Sequence, residues 1–448
     1  MEQIEHPYRH LSAWLQEAYP ELKTLKLKQL SRGITLLASS QKTFKSMDGV
    51  AHEINARVGS AGGTRELEAV RAAAALDEAQ RPRLAALVRD LRRVREALGS
   101  AEIAEVAQKP SEAEALATAA GWKSNQEGED EPDQQGKPWV QARIDVFSGE
   151  DDNTCAGRVT ALAFIDSQRN RLVISVGDDL GGAALVAAAA RPARRLTVRP
   201  RGAGRSPLEP PQPAAAAAAA LGAAADLVAQ IGPNITDFLS ENANSTVHFA
   251  GHSFGGSVAA LASAILEGAL ACPELPPACA PHCAAAQGRV AAATFGAPPC
   301  LSSGVPCGAF VTAWALGDDL GPRLGPAALG RLKGRLARAV PAAGGGFLSQ
   351  GLTMGAGVLK DALWTGTSKT AGHALGLGEG EKKAAEELAP AGRLYYLKPR
   401  RYQGAATLQE VKGNLREDVL WQLDEIFLSK SMLKHHSLAE YVSNLDRV

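Results

Sequence analysis

The chain has 448 residues, enough for one large α/β domain and a smaller appendage. Lys+Arg and Asp+Glu both number 48, so no net field draws it towards nucleic acid. Aromatics are only 5% while alanine and glycine are abundant, which places any sizeable core in the Val- and Leu-rich segments of the second half.

Met1-Glu2-Gln3-Ile4-Glu5-His6 is acidic and polar, unlike a secretory leader or an Arg/Ser-rich transit peptide. The six cysteines (Cys155, Cys272, Cys279, Cys283, Cys300 and Cys307) are therefore expected as reduced thiols. Residues up to about Lys109 read as helical, with Leu11, Trp14 and Leu15, then Leu84, Leu87, Val88, Leu91, Val94 and Leu98 at helical spacing. Six arginines between Arg81 and Arg95 surround the second stripe, as a solvated face or as a basic surface for anionic lipid. Asn125 to Pro138 is an acidic run with the composition of a linker.

Val159–Ile165, a turn at Asp166–Asn170 and Arg171–Val176 predict a β-hairpin. From about Gly181 to Ala225, alanine tracts, six arginines and Pro207–Pro213 read as a low-complexity insert that does not specify packed structure. Order resumes with a helix at Asp226–Leu239 and a strand at Thr246–Ala250.

That strand runs into Gly251-His252-Ser253-Phe254-Gly255-Gly256, followed by a helix of small residues. Gly251-x-Ser253-x-Gly255 between strand and helix is the pattern of a nucleophile elbow. The sharp turn forces the serine into an uncommon backbone conformation, and the flanking glycines remove side chains that would collide there. Ser253 then sits at a helix N-terminus, where the dipole and free N–H groups favour negative charge. The backbone N–H of Phe254 is the natural first oxyanion donor.

A serine nucleophile needs a base, and the base a carboxylate to orient it. Downstream, Arg289–Phe295 predicts a strand ending at Gly296-Ala297-Pro298, and Phe310–Leu316 one ending at Gly317-Asp318-Asp319. A carboxylate just past a strand's C-terminal end shares the elbow's rim. Of nine histidines, His6, His10, His52 and His248 precede the serine, and His252 lies inside the elbow, expected to point away from the nucleophile. His282 sits in the cysteine-bearing stretch and His373 in a Gly-rich insert, which leaves His435 and His436. The pair follows a strand-like Ile426-Phe427-Leu428. Cys272, Cys279, His282 and Cys283 crowd one Pro-rich stretch without paired C-x-x-C spacing, so a loop of idle thiols is expected there. Neither metal nor cofactor is required for serine-based acyl transfer.

Four motifs together resemble the class 3, fungal-type lipases, and within them the sn-1-specific diacylglycerol lipase-like branch. They are the elbow, Thr294–Pro298, Asp319-Leu320-Gly321-Pro322-Arg323-Leu324, and Met432 to Tyr441. The resemblance runs from about Val159 to Tyr441 and implies an α/β-hydrolase fold, with a mostly parallel central sheet flanked by helices. The family's D-x-x-P-R pattern falls on Asp319 and its D-H-x-x-x-x-Y pattern on His436, with Tyr441 five residues on and His435 where an aspartate is usual. Gly392–Leu397 resembles the strand that precedes the family's histidine.

The implied organisation is a helical N-terminal region at 1–124, a linker at 125–140 and a hydrolase domain at 141–448, with inserts at about 178–225 and 325–390. The implied activity is acyl-ester hydrolysis on acylglycerols, of triacylglycerol or diacylglycerol lipase type, at a membrane or droplet surface. The chain is expected to be cytoplasmic with peripheral membrane contact; a plastid location and integral association are the alternatives. Leu324, Leu329, Leu332, Leu336 and Val340, interleaved with Arg323, Arg331, Lys333, Arg335 and Arg338, would form a basic amphipathic helix suited to anionic lipid or packed on the domain.

One departure stands out. Where the family runs into a segment supplying the second oxyanion donor, this chain has Gly177-Asp178-Asp179, and carboxylates beside a developing oxyanion raise the barrier. A catalytically weak or inactive lipid-binding relative is therefore the first rival reading, and an esterase for soluble esters the second.

Overall fold

The computed structural model describes residues 6–19, most of 22–38, 96–101, 103–108, 140–147, 155–198, 212–271, 275–302, 305–344, 388–399, 407–411 and most of 423–446. The arginine-bearing stretch at 81–95, the acidic linker, most of the second insert and His373 lie outside them.

Eight strands form the central sheet: β1 (Val140–Phe147), β2 (Cys155–Asp166), β3 (Arg171–Asp178), β6 (Thr246–His252), β8 (Val290–Phe295), β10 (Val311–Leu316), β12 (Arg393–Lys398) and β13 (Thr407–Glu410), in that spatial order. β3, β6, β8, β10 and β12 run parallel, while β1, β2 and β13 join antiparallel. The interior strands are apolar on both faces: Leu172, Val173, Ile174 and Val176 in β3, and Val247, Phe249 and Ala250 in β6, are buried. On edge strand β1 the pattern alternates, with Ala142, Ile144 and Val146 buried and Gln141, Arg143 and Asp145 exposed. The predicted hairpin is β2–β3, closed by Asn170 at φ 48° and by the Asp166 carboxylate, which accepts from the Arg169 amide and from Arg171 Nε.

Helices cover both faces. On one, α1 (His6–Ala18) brings Leu11 and Leu15 into a core with the long helices behind β6. On the other, Ile103, Ala104 and Val106 of the helical stretch 96–108 pack with Phe164, Val173, Phe295 and Trp314. A mostly parallel sheet with helices on both faces and a strand–serine–helix turn at its centre is the α/β-hydrolase fold.

The stretch expected to lack packed structure corrects that expectation. Residues Gly182–Ala190 form α2, with Leu185 and Val186 buried, and α3 spans Ala218–Glu241 rather than beginning at Asp226. Between them β4 (Ala193–Val198) and β5 (Gln212–Ala217) pair antiparallel and build a second, five-stranded sheet with β7 (Leu270–Ala271), β9 (Leu301–Ser302) and β11 (Leu388–Ala389). Alanine is the best helix former and its small side chain lets elements approach closely, so an alanine tract that composition marks as featureless can still pack. Residues 199–211 lie outside the description.

The stretch expected as a loop of idle thiols is partly helical: α5 spans Ala280–Ala286, Cys279 is buried, and His282 Nδ1 lies 2.7 Å from Thr236 Oγ1. Helix α6 (Pro326–Gly344) is amphipathic, but it packs inward: Leu329, Leu332 and Leu336 are buried. Arg331 and Arg335 grip Glu425 at 2.8 and 2.5 Å, and the Lys333 ammonium lies 5.1 Å from the Tyr19 ring centroid. The buried leucines and these ion pairs pack the helix on the domain, one of the two arrangements expected for it. Ile426 and Leu428 are buried in irregular chain and not in a strand. Among the described residues no helix is long and apolar enough to cross a membrane.

Candidate active site

β6 ends at His252, and α4 (Ser253–Leu266) begins on the next residue. Ser253 has φ 55°, the left-handed region that a non-glycine residue adopts only under constraint. The glycines explain why the turn closes. A Cβ on Gly251 would stand 2.6 Å from the Gly255 carbonyl oxygen, and one on Gly255 would stand 2.5 Å from that of Val176. A side chain at 251 would push the first turn of α4 away from β6, and one at 255 would push it off β3.

Asp319 follows β10, and His436 follows the short helix α7 (Met432–His435). Both meet Ser253 on one rim of the sheet. His436 Nε2 lies 3.1 Å from Ser253 Oγ, and His436 Nδ1 lies 2.8 Å from Asp319 Oδ1. The approach is tight: a Cβ on Gly321 would stand 1.9 Å from the Gly296 oxygen and 2.7 Å from His436 Cε1, and one on Gly296, at φ +60°, 2.7 Å from Asp319 Oδ2. The motif glycines are thus the space in which the imidazole and carboxylate meet.

Asp319 is fully buried and well supplied with donors. Besides His436, the Gly321 amide donates to Oδ1 at 2.8 Å and the Tyr441 hydroxyl donates to Oδ2. Burial pushes its pKa up, but the His436 charge and these hydrogen bonds outweigh it, so the carboxyl sits below its ordinary value. For His436 burial works downward, while the charge of Asp319 and its hydrogen bond, helped by Asp178, hold the imidazole above its ordinary value. Arg323, also fully buried, donates to the Asp319 and Gly317 carbonyls, and the Tyr396 hydroxyl donates to Gly317 as well. Asp318, the other candidate carboxylate, turns elsewhere: its amide donates to His435 Nδ1 at 3.0 Å, and its Oδ2 accepts from Ser431. His435 therefore ties the histidine segment to the aspartate loop.

The contacts of His252 have no signal in the sequence. His252 does not approach the serine; its ring packs 4.8 Å from that of His436, centroid to centroid, and its Nε2 donates to the His436 backbone oxygen at 2.5 Å. On its other side, Nδ1 accepts from Gln108 Nε2, at the end of the 96–108 stretch. Burial drives the His252 pKa down to about 3, which fixes it as a neutral spacer. Gly177 permits the approach, since a Cβ there would stand 2.6 Å from the Ala107 carbonyl.

Asp178 is the carboxylate that the sequence places beside the elbow, and the structure shows how it is held. Its Oδ2 accepts from the Gly255 amide at 2.9 Å and its Oδ1 from that of Leu180 at 3.3 Å. Gly255 is the neighbour of Phe254, so the carboxyl occupies the same helix terminus as the expected oxyanion donor. Asp179 points away, accepting from the Arg158 amide at 2.5 Å.

A deeply set serine, aspartate and histidine in this chain order on an α/β sheet set the chain beside ester hydrolases, and a comparison of families agrees. Residues 208–305 match the class 3 lipases. The matched segment covers about a fifth of the chain and holds the elbow and the Gly296-Ala297-Pro298 turn, but not Asp319 or His436. No curated protein matches. Among solved structures, the lipase of Rhizopus microsporus var. chinensis is 17% identical, with 52% of this chain and 69% of that one covered and a TM-score of 0.29. Lipase II of Rhizopus niveus gives 16%, 52%, 74% and 0.30, and the Rhizomucor miehei triacylglyceride lipase 17%, 42%, 62% and 0.25. At these values the fold assignment rests on the strand order and the elbow of this chain, not on the likenesses.

Proposed function

We propose that the protein is a lipase-type serine hydrolase that cleaves acyl esters, acylglycerols being the substrate class. The observation that carries this reading is the unbroken contact chain from Ser253 Oγ through the His436 ring to Asp319 Oδ1, at 3.1 and 2.8 Å. Ser253 attacks the carbonyl while His436 Nε2 takes its proton, and the Phe254 amide holds the oxyanion. The imidazolium, steadied by Asp319, returns that proton to the leaving alcohol, and water repeats the sequence on the acyl-enzyme. The class 3 lipase match over 208–305 supports a lipid ester met at a membrane or droplet surface. The diacylglycerol preference rests on the motif resemblance alone.

A fluorophosphonate probe should label the wild type at Ser253 and leave Ser253→Ala unlabelled. A folded wild type that resists the probe at every pH would remove the reading in favour of an inactive, lipid-binding relative. Emulsified long-chain acylglycerols should be turned over in preference to short soluble nitrophenyl esters; the reverse order would make the protein an esterase.

A further inference from the structure

A carboxylate at an oxyanion site opposes the reaction, so the place of Asp178 needs a reason. Its carboxyl is held between the Gly255 and Leu180 amides at the C-terminal end of β3, at the start of α4. The amides of Phe254 and Gly255 are consecutive in the first turn of α4. An oxygen on the first and an oxygen on the second therefore stand about one hydrogen-bond length apart. One of them is Asp178 Oδ2; the other is where the substrate oxyanion forms. Two anions at that spacing repel, whereas a carboxylic acid and an anion form a charge-assisted hydrogen bond.

We propose that Asp178 acts as a neutral carboxylic acid and donates the second hydrogen bond to the oxyanion, as a catalytic residue of the hydrolysis proposed above. The proton stays with the transition state and is not transferred: Asp178 O–H donates while the Ser253–carbonyl bond forms, and the hydrogen bond loosens when the carbonyl is restored. Burial raises the Asp178 pKa to about 6, against the opposing pull of the Gly255 and Leu180 amides and of His436. The other charged neighbour, Asp179, favours the neutral form.

The consequence is a coupled pair. The productive state has Asp178 protonated and His436 neutral, whereas the competing state of equal charge has Asp178 ionised and His436 protonated. Rising pH empties the productive state by ionising Asp178, and falling pH empties it by protonating His436. The kcat/KM profile is therefore a narrow bell with a low summit and an alkaline limb.

The test is the pH profile of kcat/KM on a nitrophenyl ester for the full chain, for Asp178→Asn and for Asp178→Leu, with thermal unfolding as the folding control. The amide of Asn donates at every pH, so Asp178→Asn should lose the alkaline limb and exceed the wild type above pH 7. Leucine fills the space without a donor, and Asp178→Leu should fall about 10²–10³-fold below Asp178→Asn at every pH. Should Asp178→Leu fail to fold, the limb in the wild type and its loss in Asp178→Asn decide alone. An alkaline limb that survives in Asp178→Asn, or equal rates for the Leu and Asn variants, would overturn the donor role. Probe labelling of wild-type Ser253 separates the two claims: labelling with equal variant rates removes only Asp178, while a failure to label removes the hydrolase reading and this proposal with it.

Discussion

Tyr441→Phe tests how far the aspartate depends on its buried surroundings. The hydroxyl lies fully inside the protein, donates to Asp319 Oδ2 and accepts the Leu316 amide of β10 at 3.1 Å. Removing one oxygen deprives the carboxylate of a charge-assisted donor and the strand amide of its acceptor, while the ring keeps its edge-on contact with Phe295. A hydrogen bond to a charged group contributes about 1.5–3 kcal/mol, and a buried amide left unpaired costs about 1–3 kcal/mol. The two effects share an atom and do not simply add, so a loss of about 2–4 kcal/mol is expected in urea unfolding at neutral pH. The carboxylate keeps Gly321 and His436, hence the rate should fall by only about tenfold, chiefly in kcat. A stability loss below about 0.5 kcal/mol would refute the argument, because it would mean the hydroxyl carries neither partner.

Gly321→Ala should cost far more activity, since its Cβ would overlap the Gly296 oxygen and press on His436 Cε1; a displaced base lowers the probe-labelling rate by about 10²-fold or more, and an unchanged rate would show the contact to be slack. His252→Gln addresses acid stability. The native ring protonates only at about 3 while the unfolded chain protonates near 6.5, so the neutral ring's contribution is lost as pH falls below about 6.5. Relative to the glutamine variant, the wild type should lose about 2 kcal/mol more between pH 7 and pH 5, measured by denaturant unfolding at each pH. Parallel curves for the two proteins would mean that the ring titrates normally.

The elbow was legible because its chemistry is local: two glycines, a serine and their flanks define a turn that has few other uses. Asp319 and His436 needed the motif resemblance. Spacing alone left Asp318 and His435 as rivals, and it is the fold that sends those two to each other and not to the serine. The hairpin followed from two apolar runs around a turn and the parallel sheet from the motif resemblance, whereas the alanine-rich stretch misled because its packing depends on partners far along the chain, Ser302 and Leu301 among them. Gln108 was invisible for the same reason: its role comes from where a helical stretch distant in the chain meets the elbow. Periodicity left open what α6 faces, because the glutamate that Arg331 and Arg335 meet lies far along the chain.

The helical stretch at 96–108 has a bearing on how the chain can be divided. Its Ile103 and Val106 roof the sheet over Phe164, Val173 and Trp314, and its last residue braces the ring beside the base. A fragment starting at 141 would expose that apolar roof-line to water and leave His252 Nδ1 facing nothing of its own chain upstream. Such a fragment should aggregate, and a synthetic peptide of residues 96–108 added in trans should restore its solubility.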